Sequence, residues 1–200
     1  TMGTVEVDRN LTRHFGIATV DKSGRVVSFD EKPARSESNL ASMGIYIFDR
    51  EFLISVLKKL KNKYYELDFG KHVIPYLTEE RMISGYRFDR YWLDIGTVKS
   101  YFSASQDLLD DSSESGFDLF SEEIRTVPDD NLPTTIADNA EVKNSLICNG
   151  CEIRGKVYSS ILSPGVVVEE GAEVRNCVLF HRCRIERGTV ISNTIMDKMS

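Results

Sequence analysis

Two hundred residues allow one large domain or two small ones, with enough chain to bury real cores. Hydrophobic residues at 41% and charged residues at 28% describe an ordinary globular composition, and the net charge of −6 gives no non-specific attraction to nucleic acid or an anionic membrane. No stretch approaches the ~18 consecutive apolar residues of a membrane span, and the opening Thr1-Met2-Gly3-Thr4 lacks the basic, apolar and small-residue series of a secretory signal.

The chain opens within a strand, and strand and helix patterns alternate through the first hundred residues, which favours an α/β or α+β layer architecture. Phe15 to Asp21 and Arg25 to Glu31 are rich in β-branched and aromatic residues, and the cluster Asp21-Lys22-Ser23-Gly24 between them predicts a hairpin. Ala41 to Phe48 is a third strand, interrupted by Gly44. From Glu51 to Lys61 the period changes: Phe52, Val56, Leu57 and Leu60 stand at helical spacing with lysines between them. Arg81 to Trp92 reads as strand again, with a loop near Asp89-Arg90. Thr97 to Leu109 is a helix, with Thr97 as N-cap and Val98, Tyr101, Phe102, Ser105, Leu108 and Leu109 on one face. Asp110 to Gly116 has no apolar residue and reads as an exposed loop. The first domain therefore spans 1–110, and 111–133 is a linker in which Pro128 and Pro133 cannot donate to a central ladder.

From Thr134 the pattern is different. Leu162, Leu179 and Met196 are spaced by 17 residues, as are Val168 and Ile185, and Val174 and Ile191. An earlier copy, Asn144-Ser145-Leu146-Ile147, stands 15 residues before the Leu162 block. Apolar residues recur at fives and sixes through Ile136, Val142, Ile147 and Ile153. Helical solenoids use units of ~33 residues or more, so this repeat predicts a left-handed parallel β-helix over 134–200, with three short strands per triangular coil. An ordinary β-sandwich would not hold one register at several independent positions.

The four cysteines all lie from Cys148 onward. Cys148-x-x-Cys151 has zinc-like spacing, with Cys177, His181 and Cys183 downstream. The register argues otherwise: Cys151, Val166 and Cys183 fall at equivalent coil positions, so the two thiols stand two layers, ~10 Å, apart. Small buried hydrophobes account for them better. With no export signal, reduced thiols in a cytoplasm are expected.

Four segments carry a family resemblance: Phe29-Asp30-Glu31-Lys32-Pro33, Ala41-Ser42-Met43-Gly44-Ile45-Tyr46, Asp68-Phe69-Gly70 and Tyr91-Trp92-Leu93-Asp94-Ile95-Gly96-Thr97. Together with Val73-Ile74-Pro75, Asn131-Leu132-Pro133 and the entry to the repeats, they resemble the bacterial glucose-1-phosphate adenylyltransferases, in order along nearly the whole chain. The resemblance implies a partial nucleotidyltransferase-like α/β domain followed by the β-helix. It implies glucose 1-phosphate and ATP as substrates, Mg²⁺ as cofactor, ADP-glucose for glycogen as product, and a homotetramer.

In such a reaction a sugar-phosphate oxygen attacks the α-phosphorus of ATP and pyrophosphate leaves, so positioning and charge neutralisation dominate. The resemblance assigns Lys32 to the sugar phosphate, Glu31 and Ser42 to the sugar, and Asp94 to the metal. Asp94 stands between an aromatic-rich strand and a helix N-terminus, with Gly96 allowing close backbone approach; as an ordinary acid, it would be stabilised by the helix dipole. Asp68 either caps a helix beginning near Phe69 or contacts substrate, and Tyr46 reads as core. The Gly-rich run Gly-x-Gly-Thr-Arg-Leu by which the family cradles ATP occurs nowhere in these residues, nor does a second metal-binding aspartate. The expectation is a half-site on a fragment that is inactive alone, with further coils beyond Lys198. Two alternatives are a non-catalytic regulatory relative and a hexapeptide-repeat acyltransferase using His181 as base; a solvated corner is the simpler account of His181.

Overall fold

The computed structural model describes residues 1–80, 82–109 and 130–200, and they form two compact units, Thr1–Arg90 and Tyr91–Ser200. The loop expected at 110–116, and the connector up to 129, lie outside the described residues.

The first unit is built on five strands: β1 (Met2–Glu6), β2 (Gly16–Val20), β3 (Val26–Glu31), β4 (Leu40–Tyr46) and β5 (Gly85–Phe88). They lie in the order β3-β2-β4-β1-β5, antiparallel except for the β1–β5 pair. The predicted hairpin is β2–β3, and its turn is locked by Asp21, whose carboxylate accepts N–H bonds from Ser23 and Arg25 at 2.8 and 3.0 Å. The strand expected over 81–92 is only Gly85–Phe88, because the partner edge of β1 offers a four-residue parallel register, Met2 to Val5. Helix α1 (Arg50–Lys61) starts at Asp49, which accepts the Phe52 N–H at 2.9 Å, and buries Val56 and Leu60. A π-helical turn over Phe69–Val73 runs into α2 (Ile74–Glu79). The core joins sheet residues Met2, Ala18 and Val26 to Val56 and Leu60 of α1 and to Ile74 and Leu77 of α2.

The second unit opens with the segment 91–97 and helix α3 (Val98–Asp107), then continues in the repeats. Thr97 and Ser100 form a reciprocal capping box, each side chain taking the other's backbone N–H at 3.0 and 3.1 Å. Val98, assigned by spacing to the apolar face, is 77% exposed. It sits in the first turn, ahead of the residues that dock: Tyr101 meets Phe180 edge-on at 6.0 Å, and Ser105 and Leu109 are buried.

The repeats form a parallel β-helix. Every long-range pair read from the sequence is a hydrogen-bonded register pair: Ile147 with Leu162, Leu162 with Leu179, Leu179 with Met196, Val168 with Ile185, and Val174 with Ile191. One face stacks Glu141–Lys143, Lys156–Tyr158 and the first half of Glu173–Leu179; the second stacks Leu146–Ile147 and Ile161–Leu162 with the other half. The third stacks Thr135–Ile136, Glu152–Ile153, Val167–Val168 and Arg184–Ile185. The interior is Ile153, Val157, Leu162, Val168, Val174, Leu179 and Ile185. Ile136, expected inside, is 55% exposed, since its strand has a neighbour on one side only among the described residues.

Candidate functional site

Hydrogen bonding and packing gather one group of side chains in the first unit. Strand β3 ends at Glu31, which pairs with Gly16 of β2. The next residue, Lys32, has φ of +51°, a left-handed backbone that costs a side-chain-bearing residue ~1–2 kcal/mol. Its N–H is tied to the Phe15 carbonyl at 3.0 Å, so the surroundings hold the strained geometry. Arg182 and Met199 share this backbone, so the φ fixes the course of the chain at Lys32 and does not by itself mark a site. The Lys32 Nζ stands 4.0 Å from Glu31 Oε1, and the lysine side chain is 63% exposed against 31% for the glutamate. The ammonium is therefore presented to solvent, and the carboxylate beside it is about half as exposed.

Beside the carboxylate lies the turn at 68–70. A Cβ on Gly70 would stand 2.7 Å from Glu31 Oε2 and 3.5 Å from Asp68 Oδ1, so both carboxylates converge on this glycine. Asp68 Oδ1 accepts the Lys71 N–H at 2.7 Å, and the Asp68 N–H donates to His72 Nδ1 at 3.0 Å, with the His72 ring stacked on Tyr64 at 4.0 Å. Asp68 is thus the cap of the turn, one of the two roles left open by the sequence. Phe69 continues the cluster by stacking on Tyr46 at 5.9 Å. Tyr46 also packs with Phe48 and shares a 3.2 Å hydroxyl hydrogen bond with Ser42. Half-buried Tyr46 is part core, as its sequence suggested, but its hydroxyl end reaches the Ser42 side chain.

The structure therefore brings Glu31, Lys32 and Asp68 together, and links Ser42 to them through Tyr46 and Phe69. A cation, two carboxylates, hydroxyls and aromatic faces in one cluster suit a polyhydroxylated ligand carrying a phosphate. Gly16, Gly70 and Phe69 were missed as site-builders. Their signal was the glycine and aromatic in Asp68-Phe69-Gly70, which acquires meaning only when β3 lies beside it.

Asp94 belongs to the second unit. It is exposed, in the segment leading to α3, and its carboxylate lies against Gly96: a Cβ there would be 3.2 Å from Oδ2. Gly96 thus leaves the carboxylate room near the start of α3. Among the described residues no three His, Cys, Asp or Glu side chains gather as a metal cage. Cys151 and Cys183 are buried in the β-helix, as small hydrophobes, and His181 is exposed at a corner. No helix among the described residues is long and apolar enough to cross a membrane.

Comparison with known proteins agrees along both parts. The family model described as nucleotidyl transferase matches residues 1–111, and the one described as GlmU-like, C-terminal hexapeptide matches 132–200. A glucose-1-phosphate adenylyltransferase of Clostridium acetobutylicum is 41% identical over 170 residues, covering 84% of this chain and 45% of that protein. The enzyme of the same name from Desulfitobacterium hafniense is 34% identical over 200 residues, 99% of this chain and 50% of the relative. That from Bacillus mycoides is 39% identical over 197 residues, 98% and 52%. The chain spans about half the length of the curated relatives it matches. With the β3 end, the capped turn and the coil repeat all in place, the chain belongs to the nucleotidyl transferase family, joined to a GlmU-like hexapeptide β-helix.

Proposed function

We propose that the protein contributes the sugar-phosphate site and β-helix of a glucose-1-phosphate adenylyltransferase. The observation that carries this reading is the pairing of a solvent-facing Lys32, on a left-handed backbone, with a Glu31 carboxylate oxygen that lies close to both Gly16 and Gly70. In the reaction a phosphate oxygen of glucose 1-phosphate attacks the α-phosphorus of ATP. The bond from that phosphorus to the β-bridging oxygen breaks, and pyrophosphate leaves with ADP-glucose as product.

Lys32 neutralises and orients the attacking sugar phosphate, a contact made both before and during reaction. Glu31 accepts hydrogen bonds from sugar hydroxyls, and Ser42 supplies a further hydroxyl beside Tyr46. Asp94 offers hard carboxylate oxygens at the head of α3, a donor set that suits Mg²⁺, which takes one or two carboxylates and fills the rest of its shell from substrate phosphates and water. A bound ion would neutralise charge developing at the α-phosphate during adenylyl transfer. We place the catalytic domain at 1–110 and the linker at 111–133, and expect a cytoplasmic homotetramer working in glycogen synthesis.

Because the 200 residues hold no Gly-rich cradle for ATP phosphates, the chain alone binds the sugar phosphate without turning it over. Calorimetry with glucose 1-phosphate and a coupled pyrophosphate assay test both halves of the reading. Binding of glucose 1-phosphate without turnover is the expected result. Absence of binding overturns the sugar site, and ADP-glucose formed by the chain alone overturns the half-site.

A further inference from the structure

The turn at Phe69–Val73 contains a glycine that its own backbone does not require. Among the described residues the glycines with positive φ are Gly24, Gly44, Gly150, Gly165, Gly171 and Gly188, and Gly70 is not one of them. It lies inside a helical turn, where alanine is the better residue. The reason for a bare Cα must be sought among its neighbours. The three atoms nearest to a Cβ placed there are Glu31 Oε2 at 2.7 Å, Glu31 Cδ at 3.1 Å and Asp68 Oδ1 at 3.5 Å. The only contacts too tight for a side chain are with the Glu31 carboxylate. A second glycine borders the same oxygen: a Cβ on Gly16 would stand 2.8 Å from Oε2 and would also overlap the Phe29 ring.

We propose that Gly70 is a positioning residue: its missing side chain makes, with Gly16, a slot that fixes the Glu31 carboxylate. This proposal deepens, and rests on, the reading of Glu31 and Lys32 as a sugar-phosphate site. The slot has a second effect. Lys32 is the neighbouring residue, and a charge-assisted N–H···O contact closes to ~2.7–2.9 Å where nothing prevents it. Here Nζ and Oε1 stay 4.0 Å apart. Lodged in the slot, the carboxylate is held back from the ammonium, which remains available for phosphate. A methyl group on Gly70 drives the carboxylate out, and the ammonium is the charge beside it. One small substitution therefore disturbs both the hydroxyl acceptor and the phosphate donor.

The test is a double-mutant cycle of Gly70→Ala and Glu31→Ala in the 200-residue chain, read by crystal structure and by titration with glucose 1-phosphate. In Gly70→Ala the carboxylate should leave the slot and close on Lys32 Nζ, with the turn itself unmoved. Affinity should fall about tenfold or more, as expected for losing one charge-assisted contact. In the Glu31→Ala background the same substitution should change affinity less than about twofold, since its target is already gone. A purely structural glycine would cost the same in both backgrounds, and that result overturns the proposal. So does a Gly70→Ala structure in which the carboxylate keeps its place. If Gly70→Ala alone fails to fold but the double variant folds, the coupling to Glu31 is upheld; if both fail, the glycine serves the fold and the proposal is lost. Should the unaltered chain not bind glucose 1-phosphate, the functional reading fails while the crystal structure still decides the slot.

Discussion

The Cα of Gly155 lies against the carbonyl of Ala172 in the following coil, with no room for a side chain between them. The cause is a short corner. Arg154-Gly155 alone joins the strands Glu152–Ile153 and Lys156–Tyr158, where the next coil spends Glu169 to Ala172 on the same corner. The longer corner folds over the shorter one, and Lys156 N–H bonds to the Ala172 carbonyl at 2.8 Å. A Cβ on Gly155 would also stand 2.6 Å from the Glu169 carbonyl oxygen. Both obstacles are backbone, so neither can swing aside. Gly155→Ala should cost about 2–3 kcal/mol, the upper part of the ~1–3 kcal/mol range of overpacked cores. Gly188→Ala is the control, because its φ of +72° is unfavourable but nothing stands within 4 Å; it should cost only about 1 kcal/mol. Urea unfolding of the two variants checks the ranking.

A second corner turns through left-handed residues in every coil: Asn144, Ser159, Asn176 and Asn193, with φ between +44° and +50°. Asparagine tolerates this conformation better than other side-chain-bearing residues. The Asn176 side-chain amide donates to that of Asn193, so the column is tied coil to coil. Ser159 is the one position that departs from asparagine. Ser159→Asn should raise stability by about 0.5 kcal/mol, and Ser159→Val should lower it by at least ~1 kcal/mol, since β-branching is worst at positive φ. Paired thermal melts decide whether the two substitutions move in opposite directions.

The thiols give a third test. Burial pushes the Cys151 and Cys177 thiols above the ordinary cysteine value, so less thiolate is present at neutral pH and alkylation slows. Cys151 and Cys183 also donate S–H bonds to the carbonyls of Ser163 and Asp197, at 3.3 and 3.0 Å. Cys148 is exposed. Iodoacetamide at pH 7.5 should modify Cys148 in the native chain and the other three only in denaturant, as mass spectrometry of peptides would show. Rapid native labelling of Cys177 would contradict its place in the coil interior.

What the sequence revealed depended on repetition. Leu162, Leu179 and Met196 announce their pairing because each coil must present an apolar residue at the same place. The same logic placed Cys151 and Cys183 at equivalent positions of a buried column and argued against a shared zinc. Lys32 and Glu31 could be named from a local motif, but the strain at Lys32 is a dihedral, which no spacing displays. The slot around Glu31 was not legible, because its walls come from Gly16 and Gly70, brought together only when β2, β3 and the 69–73 turn assemble. Val98 shows the reverse error: helical spacing defines a face, but it does not say how far along the helix the neighbour extends.

The last prediction separates Lys32 from Asp94, in a full-length enzyme that contains this chain. If Lys32 holds the sugar phosphate, Lys32→Ala removes a charge-assisted contact worth ~1.5–3 kcal/mol. That contact exists in the ground state as well as during reaction. Its loss should therefore appear mainly as a rise in the glucose-1-phosphate KM of roughly 10- to 150-fold. Binding of ATP should hardly change, since Lys32 is assigned to the other substrate. Asp94→Asn keeps the shape beside Gly96 and deletes one charge from the proposed Mg²⁺ ligand. Metal stabilisation of charge at the reacting α-phosphate would be worth several kcal/mol, and each ~1.36 kcal/mol lost is tenfold in rate. That variant should lose at least ~100-fold in kcat with a modest change in sugar-phosphate KM. Steady-state kinetics of both variants, with the magnesium concentration varied, tell the two roles apart. An unchanged KM in Lys32→Ala removes lysine from the phosphate site, and near-normal turnover in Asp94→Asn removes aspartate from the metal, while the family assignment stands in either case.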